Sequence, residues 1–320
     1  MTTSVIAVDR VVKRFAGHVA VDDLSLSVPG GVIYGLLGPN GAGKTTTIRM
    51  IMNVFLPDAG TIRLFGDSGT GHDHSARIGF LPEERGLYPK MRVLDVLVFL
   101  AETRGIERRL ARSRATEWLE RLGLADWRMR KVSDLSKGMQ QKVQFISTVL
   151  HDPELLVMDE PFSGLDPVNS QMMRDTVVDL RRRGKTIVLS THIMEQAEML
   201  CDDLCIIARG RKLVEGSLTE IKQRHSGRHL RLGFEDQAAA PALFADRRLI
   251  AKVQDFGAYA EAELADGADP QEILKALVAS GARITRFELA APSLHQIFVD
   301  LVGPDAARAA AVPGTEVARA

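Results

Sequence analysis

Cysteine is nearly missing: Cys201 and Cys205 are the only two in 320 residues. Their spacing matches no zinc framework, and two thiols fit a reducing compartment, so they read as small buried side chains. Net charge is missing too. Lys and Arg number 41 and Asp and Glu number 41, which argues against a chain whose main task is to grip a nucleic-acid backbone, although a local basic patch stays compatible. Long apolar runs are absent. Candidates such as Ile33–Leu37 and Leu204–Ala208 are strand-length, short of the roughly 18 to 20 residues that cross a bilayer. Met1–Arg10 holds no apolar stretch of signal-peptide length. The expectation is a soluble, cytoplasmic chain that reaches a membrane only through a partner. No repeat of about 20 to 50 residues is found, which excludes solenoids and propellers. Hydrophobic residues make up 45% and charged residues 26%, enough core for roughly two domains and too much for wholesale disorder.

Strand signals come first, over 5–15 and 19–28, with a turn at Ala16-Gly17-His18. A third apolar run, 32–37, stops at glycine and proline and leads into a helical stretch over 44–54. Strands are expected at 61–65 and 77–81, and a helical pattern over 93–122. Strand 155–158, helix 168–183, strand 186–190 and helix 193–200 then alternate, which points to a parallel α/β core interrupted by a helical insertion at about 84–150. After Arg224 the composition shifts, with His225-Ser226-Gly227 as a linker. The order beyond it is strand 229–235, helix 239–245, strands 248–255 and 258–265, helix 270–280, strand 283–289 and helix 293–302. That βαββαβ order is ferredoxin-like. Residues 303–320, rich in Ala, Arg and Pro, read as a disordered tail.

Gly38-Pro39-Asn40-Gly41-Ala42-Gly43-Lys44-Thr45, followed by Thr46, sits between a buried strand and a helix. Glycines at this spacing let a loop wrap closely around phosphate, with backbone N–H groups and the positive helix terminus facing the anion. Lys44 would reach the β- and γ-phosphates, and the Thr45 hydroxyl would hold Mg²⁺. Leu155-Leu156-Val157-Met158 delivers Asp159 and Glu160 to a strand end, where open α/β sheets bind ligands. Asp159 suits Mg²⁺, and Glu160 suits the attacking water. On its own an acidic pair there would be a solvated strand end. Leu135-Ser136-Lys137-Gly138-Met139-Gln140-Gln141 opens a helix with Ser136 as its cap.

Taken in order, the phosphate loop, LSKGMQQ, Met158-Asp159-Glu160-Pro161, Ser163-Gly164-Leu165-Asp166 and Ser190-Thr191-His192 resemble the ATP-binding subunit of an ABC transporter over about residues 4–222. The fold implied is α/β, a P-loop NTPase of the ABC ATPase type with a helical insertion, occupying 1–224. A small C-terminal ferredoxin-like α+β domain occupies 228–302. The resemblance implies ATP and Mg²⁺ as cofactors, with Glu160, His192 and Lys44 catalytic. It implies a nucleotide site of Phe15 stacking on adenine, the loop from Gly38 to Thr46, and Glu83, with Thr45, Asp159 and Glu83 toward the metal. Ser136, Lys137, Gly138 and Met139 would act in trans on a second protomer's ATP, and Asp166 would communicate between the two sites. Partners would be separate transmembrane permease subunits and a second ATPase protomer, identical or paralogous, with no nucleic acid. The chain would then sit on the inner face of the cell membrane through its permease.

Two departures stand out. Glu83 occupies the place where the family usually has Gln, which adds negative charge near phosphate, and Lys137 and Met139 stand where Gly and Gln are commoner. Glu84–Tyr88 and the C-terminal sandwich resemble sodium-efflux and multidrug-type exporter ATPases, which implies export. The sandwich carries no catalytic cluster and reads as packing or dimer contact. His72 and His74 around Asp73 read as a solvated turn, and Arg104–Arg114 as a solvated helix face. The competing function is a soluble ABC-type ATPase acting on ribosomes or DNA. One ATPase unit, no heptad array and no net positive charge weigh against it.

Overall fold

The computed structural model describes residues 4–67, 74–84, 86–225, 229–235, 244, 246–255, 259–290 and 292–303. The expected tail beyond Gly303, His72, Asp73, most of helix 239–245 and Ser226-Gly227 of the linker lie outside these. The chain divides into two compact units, Met1–Leu218 and Thr219–Leu301.

In the first unit, β1 (Ser4–Phe15) and β2 (His18–Pro29) form a hairpin, and β4 (Ala59–Leu64) pairs with the other edge of β1. All these pairings are antiparallel. Beside this lies a six-stranded sheet. Its members are β5 (Ile78–Leu81), β6 (Leu155–Asp159), β7 (Thr186–Thr191), β3 (Ile33–Leu37), β8 (Asp203–Ala208) and β9 (Arg211–Ser217), in that spatial order. Only β9 runs antiparallel to its neighbour. β3, β6 and β7 are buried along their whole length. A strand covered on both faces cannot alternate apolar with polar residues, which is why these read as continuous apolar runs.

The helices of this unit are α1 (Lys44–Ile51), α2 (Val93–Glu102), α3 (Arg108–Arg121), α4 (Lys137–Val149), α5 (Pro167–Arg182) and α6 (Met194–Leu200). The helical pattern expected over 93–122 is two helices. Gly105 adopts φ 81, a left-handed turn that breaks the first, and the Glu107 side chain accepts from the N–H groups of Arg109 and Leu110 to start the second. α7 (Leu218–Arg224) follows β9. The sequence reading assigned neither β9 nor α7. Both cysteines are buried and free, and burial pushes the Cys205 thiol up to about 12, so neither is a reactive thiolate.

In the second unit, β10 (His229–Phe234), β11 (Ile250–Asp255), β12 (Ala260–Leu264) and β13 (Ile284–Ala290) form an antiparallel sheet in the order β11-β12-β10-β13. The first strand lies between the third and the fourth, the ferredoxin-like arrangement. Helix α8 (Pro270–Ala279) supplies Ile273 and Leu277 to a core with Leu230, Leu232, Ile250 and Leu264. Helix α9 (Leu294–Val302) follows β13. Among the described residues no helix is long and apolar enough to cross a membrane.

Candidate nucleotide site

The parallel strands β6, β7 and β3 are neighbours, so their C-terminal ends bring Asp159, Thr191 and Leu37 to one edge. At that edge the phosphate loop begins. A Cβ on Gly38 would lie 2.2 Å from the Ile207 carbonyl oxygen, and one on Gly43, at φ 103, 2.5 Å from that of Ala20. Both positions therefore exclude any side chain. Gly43 is also the N-cap of α1, and no side chain caps this helix. The first N–H groups of α1 are thus left for an anion.

Lys44 is 6% exposed. Its Nζ donates to the carbonyls of Gly38 at 2.8 Å and Pro39 at 3.1 Å, which folds the side chain back along the loop. Burial holds its pKa below the ordinary lysine value, while the carboxylates of Glu160, Asp159 and Glu83 pull the other way. In front of the loop is a cleft of about 510 Å³. Asn40 to Thr46 form its floor, with Phe15, His18 and Ala20 on one part of the wall and Glu83, Glu160, Ser163 and His192 on another.

Glu160 has a left-handed backbone, φ 47, strained for a residue with a side chain. Its N–H donates to Ser190 Oγ at 3.1 Å and to the Ser190 carbonyl at 3.2 Å. Its carboxylate Oε1 accepts from the His192 backbone N–H at 3.1 Å and from His192 Nδ1 at 2.7 Å. The Lys44 ammonium stands 3.9 Å from the same oxygen. Ser190, wholly buried, also donates through its hydroxyl to Asp159. Asp159 itself is buried behind the cleft wall. Glu83 is a wall residue whose carboxyl is held above the usual carboxylate range, first by burial and then by Asp159 and Glu160.

The site therefore brings together Phe15, the loop from Asn40 to Thr46, Glu83, Glu160 and His192, with Gly38, Pro39 and Asp159 directly behind. It does not bring in Ser136, Lys137, Gly138, Met139 or Asp166. Ser136 caps α4, its hydroxyl accepting from the Met139 N–H at 3.3 Å. Gly138 sits against the loop before α5, where a Cβ would meet Leu165 Cδ2 at 3.5 Å. Asp166 caps α5 by accepting from the N–H groups of Val168 and Asn169. The Asn169 backbone contact, foremost, holds its carboxyl below the usual range.

Several residues at this edge were not assigned to the site from sequence, although Ser163 and Gln141 fall within the quoted motifs. His18 and Ser163 line the cleft. Gln141 and Gln144, buried on α4, grip backbone carbonyls close to the two acidic wall residues. Gln141 Nε2 donates to the Pro161 carbonyl at 3.1 Å. Gln144 Nε2 donates to Pro82 at 3.3 Å and Glu84 at 3.1 Å, on either side of Glu83. Gln144 Oε1 is buried without a partner.

The donor chemistry fits a hard cation held beside phosphate, because the Thr45 hydroxyl and the Glu83 and Asp159 carboxylates are all oxygen donors. Among the described residues no group of three or more His, Cys, Asp or Glu could hold a metal by itself. A magnesium ion here would take one or two protein oxygens and the rest from phosphate and water, its usual preference.

Comparison with known proteins gives a consistent picture. A family model described as ABC transporter matches residues 21–163, and one described as ATP-binding protein DrrA1-3-like, C-terminal domain, matches 216–302. An ABC transporter ATP-binding protein of Bacillus subtilis is 44% identical, covering 93% of this chain and 98% of its own length. A Nod factor export ATP-binding protein of Ralstonia nicotianae is 40% identical over 69% of each chain. Among solved structures, an ATP-binding subunit of an ABC transporter is 29% identical with a TM-score of 0.64, covering 69% of this chain and 93% of its own.

Proposed function

The chain belongs to the ATP-binding subunits of ABC transporters, and from that premise we propose that it is the Mg²⁺-dependent motor of an exporter, working as a dimer against separate permease subunits. The observation that carries the catalytic reading is the convergence on one carboxylate oxygen. Glu160 Oε1 lies 2.7 Å from His192 Nδ1 and 3.9 Å from Lys44 Nζ, at the wall of the cleft that the phosphate loop floors.

In this proposal the γ-phosphate of ATP lies against the loop amides and Lys44. Glu160 takes a proton from water as the water oxygen attacks the γ-phosphorus. The bond from that phosphorus to the β–γ bridging oxygen breaks, and ADP and phosphate leave. His192 orients the carboxylate with its Nδ1–H, which leaves only Nε2 of that ring for a phosphate. Thr45, Asp159 and Glu83 would hold Mg²⁺, which neutralises phosphate charge when bound. Phe15, 43% exposed at the cleft wall, offers a ring face to adenine.

Ser136, Lys137, Gly138 and Met139 stand away from this cleft, which supports giving them to the ATP of a second protomer, with Asp166 between the two sites. Export is the direction supported by the name of the Ralstonia relative. The partition into an ATPase domain, 1–224, and an accessory domain, 228–302, belongs to the same reading, as does a place at the inner membrane face through the permease.

Two experiments test the proposal. Turnover per protomer should fall on dilution, because each site needs two chains, and turnover independent of concentration would remove the dimer. Pull-down from gently solubilised membranes should recover a stoichiometric multi-span protein. Recovery of ribosomes or DNA, with ATPase activity intact, would replace the transport motor with a soluble ATPase.

A further inference from the structure

The first unit carries a basic surface that the nucleotide chemistry does not use. The segments 89–94, at the start of α2, and 127–133, ahead of α4, lie side by side. Val93 and Leu94 donate their N–H groups to the carbonyls of Arg130 and Arg128 at 2.9 and 3.0 Å. Val132 and Ser133 donate to those of Met91 and Pro89, each at 3.0 Å. Arg92 and Lys131 form an antiparallel bridge, which puts their side chains on the same side of the pair.

Neither segment contains a carboxylate, and Lys90, Arg92, Arg128, Arg130 and Lys131 are all exposed. None of these five has an ion-pair partner among the described residues. Asp95, Asp126 and Asp134 flank the segments, and Asp134 is engaged by the Lys131 N–H and the Ser133 hydroxyl. Four arginines of the neighbouring helical stretch are handled differently, while Arg109 and Arg112 of α3 are exposed like the patch cations. Arg108 pairs with Glu102 and Arg121 with Asp179, while Arg104 and Arg114 donate to the carbonyls of Ser75 and Leu150. Among the unpaired cations stand apolar side chains, Trp127 at 37% and Met129 at 50% exposure.

We propose that this patch is a docking surface for an anionic phospholipid bilayer. Lipid phosphates supply negative charge in a plane, which unpaired cations on two adjoining segments can meet together. Trp and Met interleaved with the cations suit the boundary between headgroups and acyl chains. A nucleic-acid backbone is the weaker match, because the whole chain has a formal net charge of +0 and apolar Trp127 and Met129 stand exposed among the cations. The surface lies outside the ATP cleft, so it would add a membrane contact made by the ATPase itself, independent of any permease.

The test is flotation of the purified full chain with protein-free vesicles, either pure phosphatidylcholine or the same lipid with about one third phosphatidylglycerol. Each cation near an anionic surface strengthens binding by about fivefold. The triple variant Arg128→Gln, Arg130→Gln, Lys131→Gln should therefore bind anionic vesicles about 100-fold more weakly than the parent, with basal ATPase activity and thermal midpoint unchanged. Parental binding should need the anionic lipid and should fade toward 1 M salt, where the screening length shrinks to about 3 Å. Arg108→Gln, Arg109→Gln, Arg112→Gln removes the same charge from α3 and should cost no more than a fewfold. Should the first triple variant fold poorly, the single variant Arg130→Glu serves in its place, with a loss of at least tenfold expected. The proposal is overturned if the parent ignores anionic vesicles, if the patch variants bind as well as the parent, or if the α3 variant loses as much. Because the vesicles carry no protein, failure of the permease reading would leave this result standing.

Discussion

The two sheets treat polar groups in opposite ways. At the edge of the six-stranded sheet the protein buries Lys44, Asp159 and Ser190, and α4 adds Gln141 and Gln144. In the four-stranded sheet the interior is apolar, and Gln296 is the one buried polar side chain among the described residues of that unit. Charges there sit outside and pair locally, Arg231 with Glu261 at 2.7 Å and Arg286 with Glu288 at 2.6 Å. Burying a polar group costs stability unless every hydrogen bond is met. The first sheet accepts that cost, together with the left-handed Glu160 and the orphaned Gln144 Oε1, where phosphate chemistry needs fixed donors and acceptors. The second accepts almost none of it. In our proposal the first unit is accordingly the reaction site and the second a scaffold.

The largest effect should come from the first unit. Glu160→Gln keeps the shape of the side chain and removes its basicity, so turnover should fall about 10²- to 10⁴-fold, with ATP still bound and the thermal midpoint near the parent's. A variant that hydrolyses at the parental rate would break the assignment. Next comes Leu232→Ala in the second unit. Leu232 is fully buried in that core, and truncation should cost about 2–5 kcal/mol. Calorimetry should show the loss in an early transition, while ATP hydrolysis below that transition stays within about twofold of the parent. If hydrolysis collapsed with it, the scaffold reading of the second unit would be wrong.

Gln144→Met tests the buried polar group that touches no substrate. Methionine keeps the volume and loses both N–H···O contacts, leaving the carbonyls of Pro82 and Glu84 unmet. Stability should fall by about 1–2 kcal/mol. Because the Glu83 backbone is then released, kcat should drop by up to about tenfold with KM for ATP little changed. Full activity with the same loss of stability would make Gln144 a packing residue only.

How much of this was legible in sequence follows from where each constraint acts. The phosphate loop was legible because its glycines, Lys44 and Thr45 form one contiguous pattern, although the carbonyls that leave no room for a Cβ on Gly38 and Gly43 come from Ile207 and Ala20, distant in sequence. The strands β3, β6 and β7 were legible because burial on both faces demands an unbroken apolar run. The ferredoxin-like order showed through its alternation of elements. Gln144 was not legible, because its partners lie 60 and 62 residues away and nothing near it in sequence marks a buried amide. Ser190 was visible only as part of a motif, and its grip on Asp159 and Glu160 appears when β6 and β7 pair. β9 was missed because it is half-buried at best along its length and lies at the sheet edge. Its pattern lacks the apolar signature of the strands beside it.

The smallest predicted effect probes the electrostatics of the cleft directly. Burial, Asp159 and Glu160 raise the carboxyl pKa of Glu83, and Lys44 opposes them. A carboxyl whose pKa is raised by folding is destabilising when ionised. That penalty is absent below the unfolded value near 4.3 and reaches its full size once pH exceeds the folded value. Glu83→Gln should therefore raise the stability of the nucleotide-free protein at pH 7 and leave it unchanged at pH 4. Glu83 is exposed by surface area, so water and salt screen the repulsion and the gain should be only a few tenths of a kcal/mol. Urea midpoints of parent and variant at the two pH values, in low and high salt, would measure it. A variant that is less stable than the parent at pH 7 would mean that Lys44 outweighs the two carboxylates. The cleft would then hold Glu83 as a partner of the lysine rather than as a third negative charge in a crowded site.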